Sequence, residues 1–333
     1  MRLFRQWMCS LGKGRFIYVV GLLSLTMAGS VAADQVMTDE PILPLPLQHG
    51  QDEQKAALGR KLFHDKRLSR DDSISCASCH DLARGGVDGA KFSVGVNGAK
   101  GNINAPTVYH SGFSLVQFWD GRAPTLDAQV DGPVHNPVEM AANWGEVISK
   151  LKQDPFYPGQ FHAVYKAGIS AEAIRDAIAA FERTLVTVNS PFDRWLRGDE
   201  KALSIQEKEG YQLFKSYGCI ACHQGANVGG NMYQQMGAMG DYFTDRGGKI
   251  TKADLGRFNV TGLEEDRHHF KVPSLRLAAL TAPYFHDASA VDLKQAIQDM
   301  AKYQLGRSIT DYHAAKIEAF IKTLVGEHPE LSP

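Results

Sequence analysis

Two short stretches carry the most specific chemistry of this chain. "CASCH", residues 76–80, and "CIACH", residues 219–223, each place two cysteines three positions apart with a histidine directly after the second. Paired thiols suit three uses that need no histidine: a local disulfide, a thioredoxin-like redox couple, or half of a four-cysteine zinc site. Zinc ribbons separate their pairs by roughly 15–20 residues, whereas these pairs start at 76 and 219. Covalent haem attachment does need the histidine. Two thiols at this spacing reach the two vinyl groups along one haem edge, and the next residue turns its imidazole beneath the iron. Two c-type haems are therefore expected, one on Cys76, Cys79 and His80 and one on Cys219, Cys222 and His223.

The N-terminus bears on the same conclusion. Arg2, Arg5, Lys13 and Arg15 lead into the apolar run "FIYVVGLLSLTMAG", which ends in "SVAAD". That order predicts a secretory signal over residues 1–33, cut after Ala33, and a periplasmic mature protein. An uncleaved anchor is the alternative, since Phe16 to Ala33 just reaches the length of a span; the small residues at its end favour cleavage. Cys9 leaves with the signal, so every cysteine of the mature chain belongs to a CxxCH. No other run is long and apolar enough to cross a bilayer. The net charge of −1 gives no ground for a nucleic-acid partner.

The elements that must hold these motifs are helical. Each CxxCH follows a lead-in containing G-x-x-L-F, at Gly59 to Phe63 and at Gly210 to Phe214, a weak internal repeat that suggests two like modules. Ser204 and Glu207 form a capping-box pair at the start of the second lead-in. Ile174, Ile178, Phe181 and Leu185 recur at helical spacing behind the candidate N-cap Ser170, and Ile317, Phe320, Ile321 and Leu324 do so near the C-terminus. Long Gly- and Pro-rich segments, 84–106 and 225–262, read as loops for which a haem would supply the core. No convincing run of alternating strands occurs. The module boundary is expected near "VNSPFDRW", giving 34–190 and 191–333.

Beyond the two haem motifs, "LGRKLFHD", "NAPTV", "QFWDGRA", "GPVHNPVEM", "VPSLRLAALTAPYFHD" and "DMAKYQLG" make the chain resemble the bacterial di-haem cytochrome c peroxidases over nearly its whole mature length. The resemblance implies a mainly α fold of two cytochrome c-like domains, each with one covalently attached haem, facing across an interface. It implies that His80 holds a low-potential haem where hydrogen peroxide reacts. His223 and Met300 would then hold a high-potential haem that receives electrons from a small soluble cytochrome c or cupredoxin. It places Trp119 between the haems as an electron bridge, and Gln129 and Glu139 on the peroxide side. Asn104, Thr281 and Pro283 fall at positions that hold a calcium ion, and a homodimer is implied.

The residues themselves leave alternatives open. Trp119 also reads as a core aromatic and Glu139 as a loop acid, while heterolysis of peroxide needs a group that moves a proton between its oxygens. Met232, Met236 and Met239 lie nearer Cys222 than Met300 does, and spacing alone does not choose among them. His64, His110, His162, His268 and His269 read as structural or surface residues, and the role of His286 cannot be derived. One departure stands out: Val96 in "FSVGVNG" replaces a histidine that closes the peroxidatic iron in many resting family members, which puts the usual reductive switch in doubt. The competing readings are a protein-oxidising maturation enzyme, whose branch has tyrosine in place of Met300, and a di-haem electron carrier with both irons closed.

Overall fold

The computed structural model describes residues 39–332. The expected signal segment and cleavage site lie outside them. The chain is mainly helical: α1 (Glu53–Phe63), α2 (Cys76–Cys79), α3 (Leu126–Gln129), α4 (Asp131–His135), α5 (Trp144–Gln153), α6 (Tyr157–Val164) and α7 (Ala171–Glu182) come first. After them follow α8 (Pro191–Leu196), α9 (Ile205–Tyr217), α10 (Tyr242–Arg246), α11 (Phe258–Thr261), α12 (Leu293–Leu305) and α13 (Asp311–Lys322). Two short strands, β1 (Tyr233–Gln235) and β2 (His269–Lys271), pair antiparallel with Tyr233 opposite Lys271. No helix among the described residues is long and apolar enough to cross a membrane.

Side-chain caps start most of the longer helices, two of them where the sequence suggested. Ser170 accepts from the Ala173 N–H at the head of α7, and Ser204 and Glu207 make a reciprocal capping box on α9. Asp52, Asp292 and Thr310 do the same work on α1, α12 and α13. Two helix ends fall short of the apolar period. Leu185 and Leu324 lie in the turns after α7 and α13, yet both are fully buried, so the pattern reports burial beyond the last helical turn. "VNSPFDRW", near the expected module boundary, carries the start of a helix. Ser190 caps α8, Pro191 takes its first turn, and Phe192 and Asp193 are buried.

The glycines of the repeated lead-in have one shared cause. A Cβ on Gly59 would stand 1.8 Å from the carbonyl oxygen of Ala177 in α7, and one on Gly210 would stand 2.0 Å from that of Lys316 in α13. Glycine lets α1 cross α7, and α9 cross α13, at backbone contact. Leu62, Phe63, Ile174 and Ile178 are buried around the first crossing, and Phe192, Tyr211, Phe214 and Phe320 around the second. In the second group the Phe192 ring lies 4.8 Å from Tyr211 and 5.1 Å from Phe320, edge to face. Overpacking typically costs about 1–3 kcal/mol, and backbone cannot step aside as a side chain can. Gly210→Ala is therefore expected to lose stability at or above the upper end of that range in urea titration of the loaded protein, and Gly59→Ala likewise.

The two buried clusters change over between Leu185 and Phe192, but each borrows from the other half. Ile42, from the segment before α1, packs in the second, and Leu277 in the first. A third group, around Met236, Tyr242, Phe243, Phe270 and Tyr303, has Trp119, Phe285 and Met300 packed against it.

Candidate haem centres and active site

The two CxxCH motifs are built alike. Cys76–Cys79 is one helical turn, started by Ser75 and Ser78 bonding each other's backbone N–H, and Cys219–Ala221 is one 3₁₀ turn. In each the histidine N–H bonds back to the carbonyl of the first cysteine at 3.0 Å. The imidazole then swings onto a carbonyl of the following loop: His80 Nδ1 lies 3.1 Å from the Gly86 oxygen, and His223 Nδ1 lies 3.3 Å from the Val228 oxygen. A carbonyl accepts only, so Nδ1 carries the proton and Nε2 keeps its lone pair. Burial pushes both imidazoles below the ordinary range, His223 to about 4, so they are neutral ligands at pH 7.

These residues fit a covalently held haem. All four cysteines are free thiols rather than disulfides, and neither histidine Nε2 makes a hydrogen bond with a described residue. A second repeat, not noticed in the sequence, shapes the loops. "APTV" (105–108) and "VPSL" (272–275) place a hydroxyl after proline. Thr107 Oγ1 donates to the Gly85 carbonyl at 2.6 Å and accepts from the Tyr109 N–H. Ser274 Oγ donates to the Asn227 carbonyl at 2.8 Å and accepts from the Arg276 N–H. Glycine lets the second loop close: at Gly229, φ is +131° and a Cβ would stand 2.3 Å from the Pro273 oxygen. The doubled glycines at 85–86 and 229–230 and the two Pro-hydroxyl pairs were the available signal.

Glu139 stands by the first centre. Its carboxyl accepts from Asn136 Nδ2 at 2.6 Å, and its charge acts on the Cys79 thiol. Burial raises its pKa, opposed by the Asn136 hydrogen bond and by the attraction of Arg122. The Val96 loop is fastened to the same residue. The Val96 N–H donates to the Glu139 carbonyl at 2.8 Å, and a Cβ on Gly95 would stand 2.2 Å from the Val138 oxygen. Val96 itself is buried, 1% exposed. Gln129 ends α3 half-buried, and its amide makes no hydrogen bond with a described residue. His110 is buried and held elsewhere: its Nε2 accepts from the Thr187 N–H at 3.0 Å.

Trp119 is tied into both halves of the chain. Its indole N–H donates to the Asn104 carbonyl at 2.9 Å, and its own carbonyl accepts from the Lys271 N–H at 2.8 Å. His286, left unassigned from sequence, now has a position. It stacks on Phe270 with ring centres 4.3 Å apart, stands 6.5 Å from the Trp119 ring, and bonds Asp254 Oδ1 through Nε2 at 2.8 Å. Asp254, His286 and Asp287 converge as a metal site would, but Arg246 already bonds both carboxylates. That cluster is an ion network.

Met300 packs against the same apolar group as Trp119, and Met236 lies inside it. Met232 is half-buried; Met239 is 65% exposed and rests on Gly306. Asn104 is buried, with its Nδ2 donating to the Ala90 carbonyl at 3.0 Å. The neighbouring loop at Gly85 and Gly89 approaches Leu280 and Ala282. The Thr281 and Pro283 carbonyls accept no hydrogen bond from a described residue.

A family model described as di-haem cytochrome c peroxidase matches residues 53–201. The chain is 52% identical over 289 residues to cytochrome c peroxidase Ccp of Escherichia coli, covering 86% of this chain and 62% of that longer protein. It is 45% identical over 313 residues to cytochrome c551 peroxidase of Nitrosomonas europaea, covering 93% and 92% of the two chains. The crystal structure of a MauG-like protein associated with microbial copper homeostasis superposes with a TM-score of 0.75 at 30% identity, over 90% of this chain and 97% of that one.

Proposed function

Because the chain belongs to the di-haem cytochrome c peroxidase family, we propose that it is an exported peroxidase that reduces hydrogen peroxide to water with electrons from a small soluble cytochrome c or cupredoxin. The observation that carries this reading is Glu139, a half-buried acid of raised pKa fastened to the loop beside the first CxxCH. An electron carrier has no use for such a group.

Two covalently bound haems supply the redox-active irons. His80 orients one through its Nδ1 bond to Gly86, and His223 with Met300 holds the other. In its carboxylate form Glu139 takes the proton from the near oxygen of peroxide and returns it to the oxygen that leaves as water. Asn136 Nδ2 holds the carboxyl for that transfer, and the unpartnered amide of Gln129 orients the peroxide. Trp119 carries electrons between residues 34–190 and 191–333, which we read as the two haem domains, and His286 and Asn104 fix its ring. Asn104, Thr281 and Pro283 form the calcium site behind it. Export by the 1–33 signal to the periplasm and assembly as a homodimer complete the reading.

Val96 gives the proposal its own signature. Valine cannot bind iron, its loop is tied to Glu139, and His110 is engaged by Thr187. The peroxidatic iron is therefore expected to be open in the fully oxidised protein. Peroxide added to oxidised and to half-reduced holoprotein, followed by absorption and electron paramagnetic resonance, tests both levels. A high-spin signal that responds to peroxide without prior reduction is the expected result. A response only after half-reduction would mean that another side chain closes the iron. No response in either state would leave an electron carrier.

A further inference from the structure

One buried acid takes no part in the scheme above. Glu182 ends α7 and is 5% exposed, yet its carboxyl makes no hydrogen bond with any described residue. Cys76 packs against the same buried cluster as the neighbouring Phe181 of α7, and the Glu182 charge acts on its thiol. An acid of this kind, without donor or counter-ion, is costly to keep ionised.

The charged groups around it are committed elsewhere. Arg183, next along the chain, pairs with Asp127 of α3 at 2.8 Å. On α1, Lys55 pairs with Asp176, Arg60 with Glu330, and Lys61 lies over the Phe156 ring. From the C-terminal segment, His328 bonds the Thr184 carbonyl at 3.2 Å. Burial dominates and pushes the Glu182 pKa up to about 8, with Arg183 opposing and Asp127 adding. A haem held on Cys76 would turn that thiol into a thioether.

We propose that Glu182 is a proton-exchanging acid coupled to the redox state of the haem carried by Cys76, Cys79 and His80. Glu182 takes up a proton when an electron enters that centre and releases it when the electron leaves. The sign follows from charge: an added electron makes the neighbourhood more negative and raises the proton affinity of a nearby carboxyl. Peroxide reduction breaks one O–O bond and consumes two electrons and two protons to give two waters. Glu182–COOH supplies one of those protons, becomes the carboxylate, and regains its proton from solvent, which reaches the part-exposed Asp127–Arg183 pair. The other proton comes from solvent. This rests on the peroxidase reading for its purpose, but not for its measurement.

Linkage is reciprocal, so a proton that binds with the electron must make electron affinity depend on pH. Redox titration of the holoprotein at a series of pH values around 8 reads it directly. In the wild type the electron affinity of the first haem should fall as pH rises between the pKa values of the oxidised and reduced states, by at most tenfold per pH unit. Glu182→Gln keeps the shape of the side chain but holds no exchangeable acid, and its affinity should be flat across the same window. Glu182→Asp keeps the carboxyl and should keep a slope. An equal slope in wild type and Glu182→Gln would assign the proton to another group, such as a propionate, and overturn the proposal. A flat wild-type affinity would overturn it without any variant. Peroxide turnover measured alongside separates the two claims, since a protein that reduces no peroxide but shows the slope refutes only the proposed activity.

Discussion

Glu139→Gln is expected to slow peroxide turnover by about 10²–10⁴-fold while both haems stay attached. Glutamine keeps the volume and a hydrogen bond to Asn136 but cannot carry a proton from one peroxide oxygen to the other. The pH profile gives a second readout. The working form is the carboxylate, so activity falls as pH drops through the Glu139 pKa. Burial raises that pKa, which moves the acid limb of kcat/KM to higher pH than an exposed carboxylate would give. In Glu139→Gln that limb should vanish. Steady-state rates at several pH values, with haem content measured by absorbance, check both; near-normal turnover would return Glu139 to the status of a loop acid.

Arg276→Met is expected to destabilise the loaded protein by about 3–5 kcal/mol, as removal of one partner of a buried ion pair does. Arg276 and Asp193 are both fully buried, and their two parallel hydrogen bonds are each 2.9 Å long. The guanidinium also donates to the Ala226 and Leu43 carbonyls. One side chain thus ties α8, the segment before α1 and the loop that presents the Val228 carbonyl to His223. Methionine would strand the Asp193 carboxylate in an apolar interior. Arg276→Met combined with Asp193→Leu removes both charges and should recover much of the loss, because the largest cost is an uncompensated charge. Urea denaturation checks the three proteins together; equal stability of the double and single variants would show that packing, not charge, sets the cost.

The haem motifs were legible because covalent attachment needs residue types at fixed spacing, and the main helices because caps and apolar period agree. What stayed hidden depends on contacts distant in sequence. Gly59 and Gly210 were visible as a repeat, but only the crossings onto Ala177 and Lys316 explain them. Thr107 and Ser274 are ordinary hydroxyls until each is seen bonding a carbonyl of the loop after its CxxCH. His286 sits in a recognisable stretch, yet its place between Phe270, Trp119 and Asp254 follows from three segments meeting. Glu182 reads as one more polar residue at the end of an amphipathic helix. Its burial beside Cys76 is a property of the packing of α7 on α1 and α3. Pro191 starts α8 because proline favours the first turn of a helix.

The most direct test of the peroxidase assignment is anaerobic mixing of the protein, matured so that denatured chains carry the mass of two haems, with a reduced small c-type cytochrome and hydrogen peroxide. The expected result is catalytic oxidation of the cytochrome, two equivalents for each peroxide consumed. A fully loaded protein that exchanges electrons with the cytochrome but leaves it reduced in the presence of peroxide would contradict the assignment and identify an electron carrier.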